Sequence, residues 1–397
     1  MDNSSDALKQ QVLAEVEAHR AELIDLSLRI HANPELGLEE VKASAWLTEY
    51  LEGQGFRVER GVSGLPTAFK ATYGQGKPVI AFVAEYDALP DLGHACGHNI
   101  IAATAAGAAI AARPVVNRSG GTLVVVGTPG EETYGCKATM VDRGAFAGID
   151  AAMMVHPATK DVVECTALAC STLEVDFFGK AAHAAASPER GINALDAVVL
   201  AYNCISSLRQ HIRAKSRIHG IITKGGEAAN IVPSHTSASY LVRAEDQEYL
   251  EQLKERVLNC FTAASLATGA RFEHRWGDVT YLPLVTNSVI ARLFTQHIES
   301  LGRKTHPFDP ERGFGSTDMG NVSQAVPSLH AFVAIAPPEV VEHSPEFAEA
   351  AGSDAGQQGL IDGARALALT AADLISSPDL LEEARQEFAS AKRGGDR

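Results

Sequence analysis

Apolar residues recur with a helical period from Leu8 to Gly53, and the pattern breaks at "HANPELG", where Pro34 and Gly37 punctuate the chain. The period then changes. Val79 to Ala84 is an unbroken apolar run, as expected of a strand buried on both faces. "GTLVVVG" and "AAMMVHP" repeat that signal, the first running into the Gly/Pro turn of "TPGEE" and the second expected to end at Pro157. An alanine-rich stretch from Ile100 to Ala112 predicts a buried helix between the first two runs. Strands alternating with helices predict a mostly parallel α/β sheet with helices on both faces.

The texture changes after Cys165. Thr172 to Phe178 alternates like a strand with one solvated face, and "NALDAVVLAYNCISSLRQHI" is amphipathic. Two strands around a Gly-rich turn follow in "SRIHGIITKGGEAANIVPSHTSASYLVRA". A helix in "DQEYLEQLKERVLNCFTAASLATG" and a strand in "RFEHRWGDVTYLPL" complete the series. This β-α-β-β-α-β order predicts an inserted α+β domain of ferredoxin-like type at 169–284. The first domain then comprises 1–168 and 285–397, with a further strand in "PSLHAFVAIAP" and a closing helix in "GLIDGARALALTAADLI". The polar tail "ARQEFASAKRGGDR" is expected to fray.

Composition narrows the function classes. The chain has 397 residues, 46% hydrophobic and 21% charged, which is globular and large enough for two domains. A net charge of −15 speaks against nucleic acid or an anionic membrane as partner, since phosphate binding needs clustered Lys and Arg. No apolar run reads as a membrane span and the polar N-terminus does not read as a signal peptide, so a cytoplasmic location is expected. The six dispersed cysteines read as thiols or ligands rather than a disulfide framework.

In open α/β sheets, ligands bind beyond the carboxyl ends of the strands. The polar residues there are Glu85 and Asp87 with the His94-Ala-Cys96-Gly-His98 cluster, then Glu131 and Glu132, then His156. They are expected to converge in space. Cys96 and His98 share a side only if their segment is an extended lead-in, with Asn99 as the N-cap of the following helix and Gly97 allowing the bend. That placement also favours the Cys96 thiolate. A lone buried cysteine is commonly a small core residue, a lone histidine a structural one, and adjacent glutamates a solvated turn. Their co-occurrence at equivalent strand ends points instead to a metal site, in which one glutamate ligates and its neighbour accepts a proton from water. His343, in the loop after the last strand, fits a ligand arriving from the C-terminal part.

The ordered motifs "EYDALP…GHACGHN", "GEE", "VHP", "GKAAHAAASPERGINALDA", "ANIVP", "GSTDMG" and "EHSPEF" resemble the two-metal peptidase family of aminoacylase, carnosine-type dipeptidases, carboxypeptidase G and indole-acetyl-amino-acid hydrolases. The resemblance spans nearly the whole chain. It implies a metal-dependent hydrolase of an amide bond in N-acyl amino acids, dipeptides or p-aminobenzoyl-glutamate-type substrates. The implied cofactors are two divalent ions, zinc, manganese or cobalt, held by Cys96, His98, Glu132, His156 and His343. It makes Glu131 the general base. His183 is implied to reach the active site of a partner subunit in a homodimer formed through the inserted domain, and Asn230 to contact substrate. Asp87 would orient a ligand histidine, and His94 would stand behind the ligands. Lys180, Arg190 and Arg243 are candidate partners for a substrate carboxylate, against the default of exposed surface charge.

Two departures stand out. Asn99 and Ser316–Gly320 ("STDMG") differ from the "HACGHD" and "SEDF" of many amidohydrolases, and are more similar to the aminoacylase-like dipeptidase and p-aminobenzoyl-glutamate hydrolase branch. Two other readings stay open: hydrolysis of another C–N bond on the same scaffold, marked by ammonia release, and a non-catalytic metal-binding member, against which Glu131 beside Glu132 argues.

Overall fold

The computed structural model describes residues 3–309 and 315–394. The chain divides into two compact units. One comprises Met1–Thr166, Leu284–Arg312 and Asp318–Arg397, and the other Ala167–Pro283 with Gly313–Thr317.

The first unit is built on a six-stranded sheet of order β1-β2-β4-β3-β5-β10. Its strands are β1 (Arg57–Arg60), β2 (Phe69–Gln75), β3 (Val79–Ala84), β4 (Gly121–Gly127), β5 (Ala151–Ala158) and β10 (Ser328–Ala334). The four strands β4, β3, β5 and β10 are parallel, while β1 and β2 extend one side antiparallel. The apolar run Val79–Ala84 is β3. Ile80, Phe82 and Ala84 enter the main core cluster, and Ala81 and Val83 on the other face are equally buried. Helix His98–Ala111 is buried along its whole length and packs on β3, β5 and the helix Asp354–Ser376. Its many alanines let these elements approach closely.

The second unit is a four-stranded antiparallel sheet of order β7-β8-β6-β9, from β6 (Ala169–Phe178), β7 (Arg217–Lys224), β8 (His235–Ala244) and β9 (Arg271–Tyr281). Helices Ala194–Leu208 and Gln247–Thr268 bury Val198, Ile205, Leu253 and Phe261 with Val175 and Phe177 of the sheet. The β-α-β-β-α-β order and this strand arrangement are ferredoxin-like.

The structure departs from the sequence pattern in several places. β1 and β2 were not foreseen: "RVER" is charged, and β2 alternates only from Phe69 to Thr72 before its exposed end at Gly74 and Gln75. Pro157 does not end its strand, because β5 continues to Ala158 with Pro157 opposite Val333. Asn99 is not the helix cap. Gly97 takes that place at φ +81°, the helix begins at His98, and the Asn99 amide instead donates to Ser27 Oγ and Ala351 O. The tail is helical over Pro378–Gly394, and residues 395–397 lie outside the described residues. The consecutive helices from His98 to Ser119 form a stretch long and apolar enough to cross a membrane, but 89% of its apolar window is buried within the fold.

Candidate metal centre

The carboxyl ends of β3, β4 and β5 carry the candidate ligands. Beyond β3 the chain runs through Glu85 and Asp87 to Cys96, then turns at Gly97 into the helix led by His98. A side chain at Gly97 would put its Cβ 2.7 Å from Pro157 Cγ, so glycine is required by both φ and space. Beyond β4, Gly130 (φ +62°) caps the short helix Glu131–Tyr134 and places both glutamates at its first turn. The Glu40 carboxylate, fully buried, accepts from Gly130 N–H at 2.8 Å and from Thr67 Oγ1 at 2.8 Å, which fixes this turn. His156 lies within β5, and His343 follows β10 at φ +61° with its N–H donating to Ala95 O.

These side chains meet. Cys96, His98 and His156 each place a ligand atom within 4.8 Å of the others, as do Cys96, Glu132 and His343, and His98, Glu131 and Glu132. Cys96 Sγ is 3.3 Å from His156 Nε2. Glu132 Oε1 is 3.8 Å from His98 Nε2 and 3.6 Å from His343 Nε2. His343 is the most open of the set, its side chain 51% exposed.

Orientation comes from fixed hydrogen bonds. The Asp87 carboxylate accepts from His98 Nδ1 at 2.9 Å and from Glu132 N–H at 3.0 Å, tying one strand end to the next. His156 Nδ1 donates to Pro157 O at 2.7 Å, which turns Nε2 toward Cys96 as an acceptor. Burial, with His330 nearby, pushes His156 down to about 3, so its ring is neutral and offers a lone pair. His94 is fully enclosed, stacked on His31 with centroids 6.2 Å apart, and burial likewise pushes it down to about 3.

The residues fit divalent cations. His98 Nε2 and Glu132 Oε1 are buried with no hydrogen-bond partner among the described residues, an arrangement that costs about 1–3 kcal/mol per group unless a cation satisfies it. Thiolate, imidazole and carboxylate together form a donor set for zinc and its first-row neighbours. Burial pushes the Cys96 thiol well above its ordinary value, so the helix start does not by itself favour the thiolate as expected; a bound cation reverses that balance. Glu131 is pushed well above the carboxylate range by burial and then by Asp318 and Glu85.

Lys137, Asp318 and His330 also surround the centre and were not assigned roles from the sequence. Lys137 Nζ lies 2.6 Å from Glu85 Oε1 and 2.7 Å from Asp318 Oδ1. Against the cost of burial, Asp318 and Glu85 hold Lys137 protonated, and Lys137 in turn holds Glu85 at about 2. Burial lifts Asp318 to about 6 although Lys137 pulls it down. The signal in the sequence was a lysine among the apolar positions of "GCKATMV", and an aspartate in "STDMG".

The remaining candidates sit on the second unit. His183 is exposed, and its Nδ1 accepts from the N–H groups of Ala185 and Ala186 at 3.2 and 3.1 Å, so the ring proton is on Nε2. Asn230 is brought beside it: its carbonyl accepts from Ala184 N–H, and His183 bridges Ile231. Lys180 and Arg190 are exposed. Arg243, on β8, is half-buried, with Nη1 3.3 Å from Ser316 Oγ and Nε buried without a hydrogen-bond partner among the described residues.

Comparison with known proteins places this geometry in a family. Residues 170–268 match the peptidase dimerisation domain. The chain is 37% identical over 399 residues to the Xaa-Arg dipeptidase of Mus musculus, covering 96% of this chain and 92% of that protein. It is 38% identical over 291 residues to a p-aminobenzoyl-glutamate hydrolase polypeptide of Escherichia coli K12, covering 68% of this chain and 60% of that one. Among solved structures, a dinuclear metal-binding peptidase of the M20 family, the YXEP protein of Bacillus subtilis, shares the fold with a TM-score of 0.69 at 19% identity, over 91% of this chain and 99% of that one. Full-length identity to the dipeptidase, together with the matched dimerisation domain, settles the assignment: the chain belongs to the M20 peptidase family of metal-dependent amide hydrolases.

Proposed function

We propose that this chain hydrolyses an amide bond in a dipeptide, an N-acyl amino acid or a p-aminobenzoyl-glutamate-type substrate. The observation that carries the reading is the convergence of Cys96, His98, Glu132, His156 and His343, with Glu131 beside them. Those five residues would hold two divalent ions, with zinc, manganese and cobalt all compatible with the donor set. When bound, the ions supply Lewis acidity, which lowers the pKa of a water and polarises the substrate carbonyl.

In this reading Glu131 takes a proton from the attacking water and delivers it to the leaving amine. Asp87 holds His98 and the Glu132 backbone in register. His183 Nε2–H donates to the oxygen of the tetrahedral state in the active site of a partner subunit. Residues 169–284 would form the lid and dimerisation domain of a homodimer, and residues 1–168 and 285–397 the catalytic domain. The dimerisation-domain match supports this assignment. Asn230, beside His183, would contact substrate, and Arg243 is a candidate partner for its carboxylate. We place the protein in the cytoplasm, in keeping with six unpaired cysteines.

The test is a hydrolysis screen of dipeptides, N-acyl amino acids and p-aminobenzoyl-glutamate with zinc, manganese or cobalt. Metal-dependent release of the free amine is expected. Release of ammonia alone, or no turnover by a fully metallated protein, contradicts the reading.

A further inference from the structure

Among the described residues, Lys137 is the only buried lysine or arginine, and its side chain is fully enclosed. Helix Cys136–Asp142 positions it. Asp318 grips the residue twice: Oδ2 accepts from the Lys137 backbone N–H at 2.9 Å and Oδ1 meets its Nζ at 2.7 Å. Glu85 Oε1 meets the same ammonium at 2.6 Å, while Glu85 Oε2 lies 3.4 Å from His98 Nε2.

The carboxylates around it have the spacing of a cation site. Glu85, Glu131 and Asp318 each bring one oxygen within 4.8 Å of the others. Without a positive charge, three such groups repel one another, and a divalent cation is the usual remedy, since hard cations gather several carboxylate oxygens. Here the ammonium, a compact charge with three donors, touches two of the three.

We propose that the Lys137 ammonium is a resident cation filling the Glu85–Glu131–Asp318 pocket, confining divalent ions to the neighbouring Cys96–His98–Glu132–His156–His343 cluster. The proposal rests on the metal-centre reading of that cluster and adds what sets the number of ions. It also keeps the Glu85–Asp318 side of Glu131 free of a divalent ion. An ion in the pocket would take the Glu131 carboxylate as a ligand and leave it unable to accept a proton.

The test compares bound manganese per chain, after equilibrium dialysis, in the parent, Lys137→Ala and Lys137→Ala/Asp318→Asn. Lys137→Ala removes the ammonium and leaves room for an ion. It is expected to hold one more manganese than the parent, and the double variant to return to the parent's count. A folded Lys137→Ala with the parent's count overturns the proposal, as does an extra ion retained by the double variant. So does a Lys137→Ala chain that stays unfolded in millimolar manganese, because the divalent ion then fails to replace the ammonium. A parent that binds no metal contradicts the metal-centre reading instead, so the two failures are distinguishable.

Discussion

The candidate ligand cluster of the first unit and the His183–Asn230 segment of the second hold their candidate functional side chains in opposite ways. In the cluster, the Asp87 carboxylate fixes His98 and the Glu132 backbone, and the unsatisfied His98 Nε2 and Glu132 Oε1 are buried. In the second unit, His183 is exposed, and among the described residues a local turn of backbone N–H groups fixes its ring. A group that grips an ion must be preorganised before substrate arrives. A group proposed to meet charge only in the transition state needs a committed tautomer and an accessible donor. The cluster carries the cost of burial, and the segment leaves its donor open.

Substitutions can break this contrast, beginning with the largest effect. Glu131→Gln is expected to lower kcat by about 10²–10⁴ while metal content stays that of the parent. Metal analysis beside steady-state kinetics checks it, and an unchanged kcat removes Glu131 as the base. His183→Ala is expected to cost about 10²–10³ in kcat. Melting temperature and metal content should not move, since the ring is exposed; lost metal would place His183 among the structural residues. Asp87→Asn should weaken metal affinity about 10–100-fold, read by competition with a chelator dye. Parent affinity would mean that the orienting bonds contribute nothing. The smallest effect sharpens the comparison. Asn193 caps helix Ala194–Leu208 by accepting from Leu195 and Asp196 N–H, so Asn193→Ala should cost about 1 kcal/mol in urea unfolding with metal content unchanged. A change in metal content would show that the second unit's stability governs the cluster.

Much of this was legible in the sequence because burial writes itself into pattern. The run Val79–Ala84 coincides with β3, since a strand covered on both faces must be apolar throughout. Cys96, His98 and Glu132 were legible as residues beyond the carboxyl ends of strands in one sheet, whereas His156, expected just past its strand, lies within β5. The antiparallel strands β1 and β2 were not legible, because partly solvated strands with charged positions leave no continuous apolar signal. Asn99 looked like a cap by residue type, but a left-handed Gly97 started the helix earlier and released the Asn99 amide to bind Ser27 and Ala351. Lys137 escaped notice because its partners, Glu85 and Asp318, lie far along the chain, and only folding reveals that its charge is compensated.

Anomalous diffraction from crystals loaded with zinc or manganese tests the account most directly. Two peaks are expected, within about 2.0–2.3 Å of ligand atoms drawn from Cys96, His98, Glu132, His156 and His343. Peaks elsewhere, or none at full occupancy of the metal in solution, would contradict it.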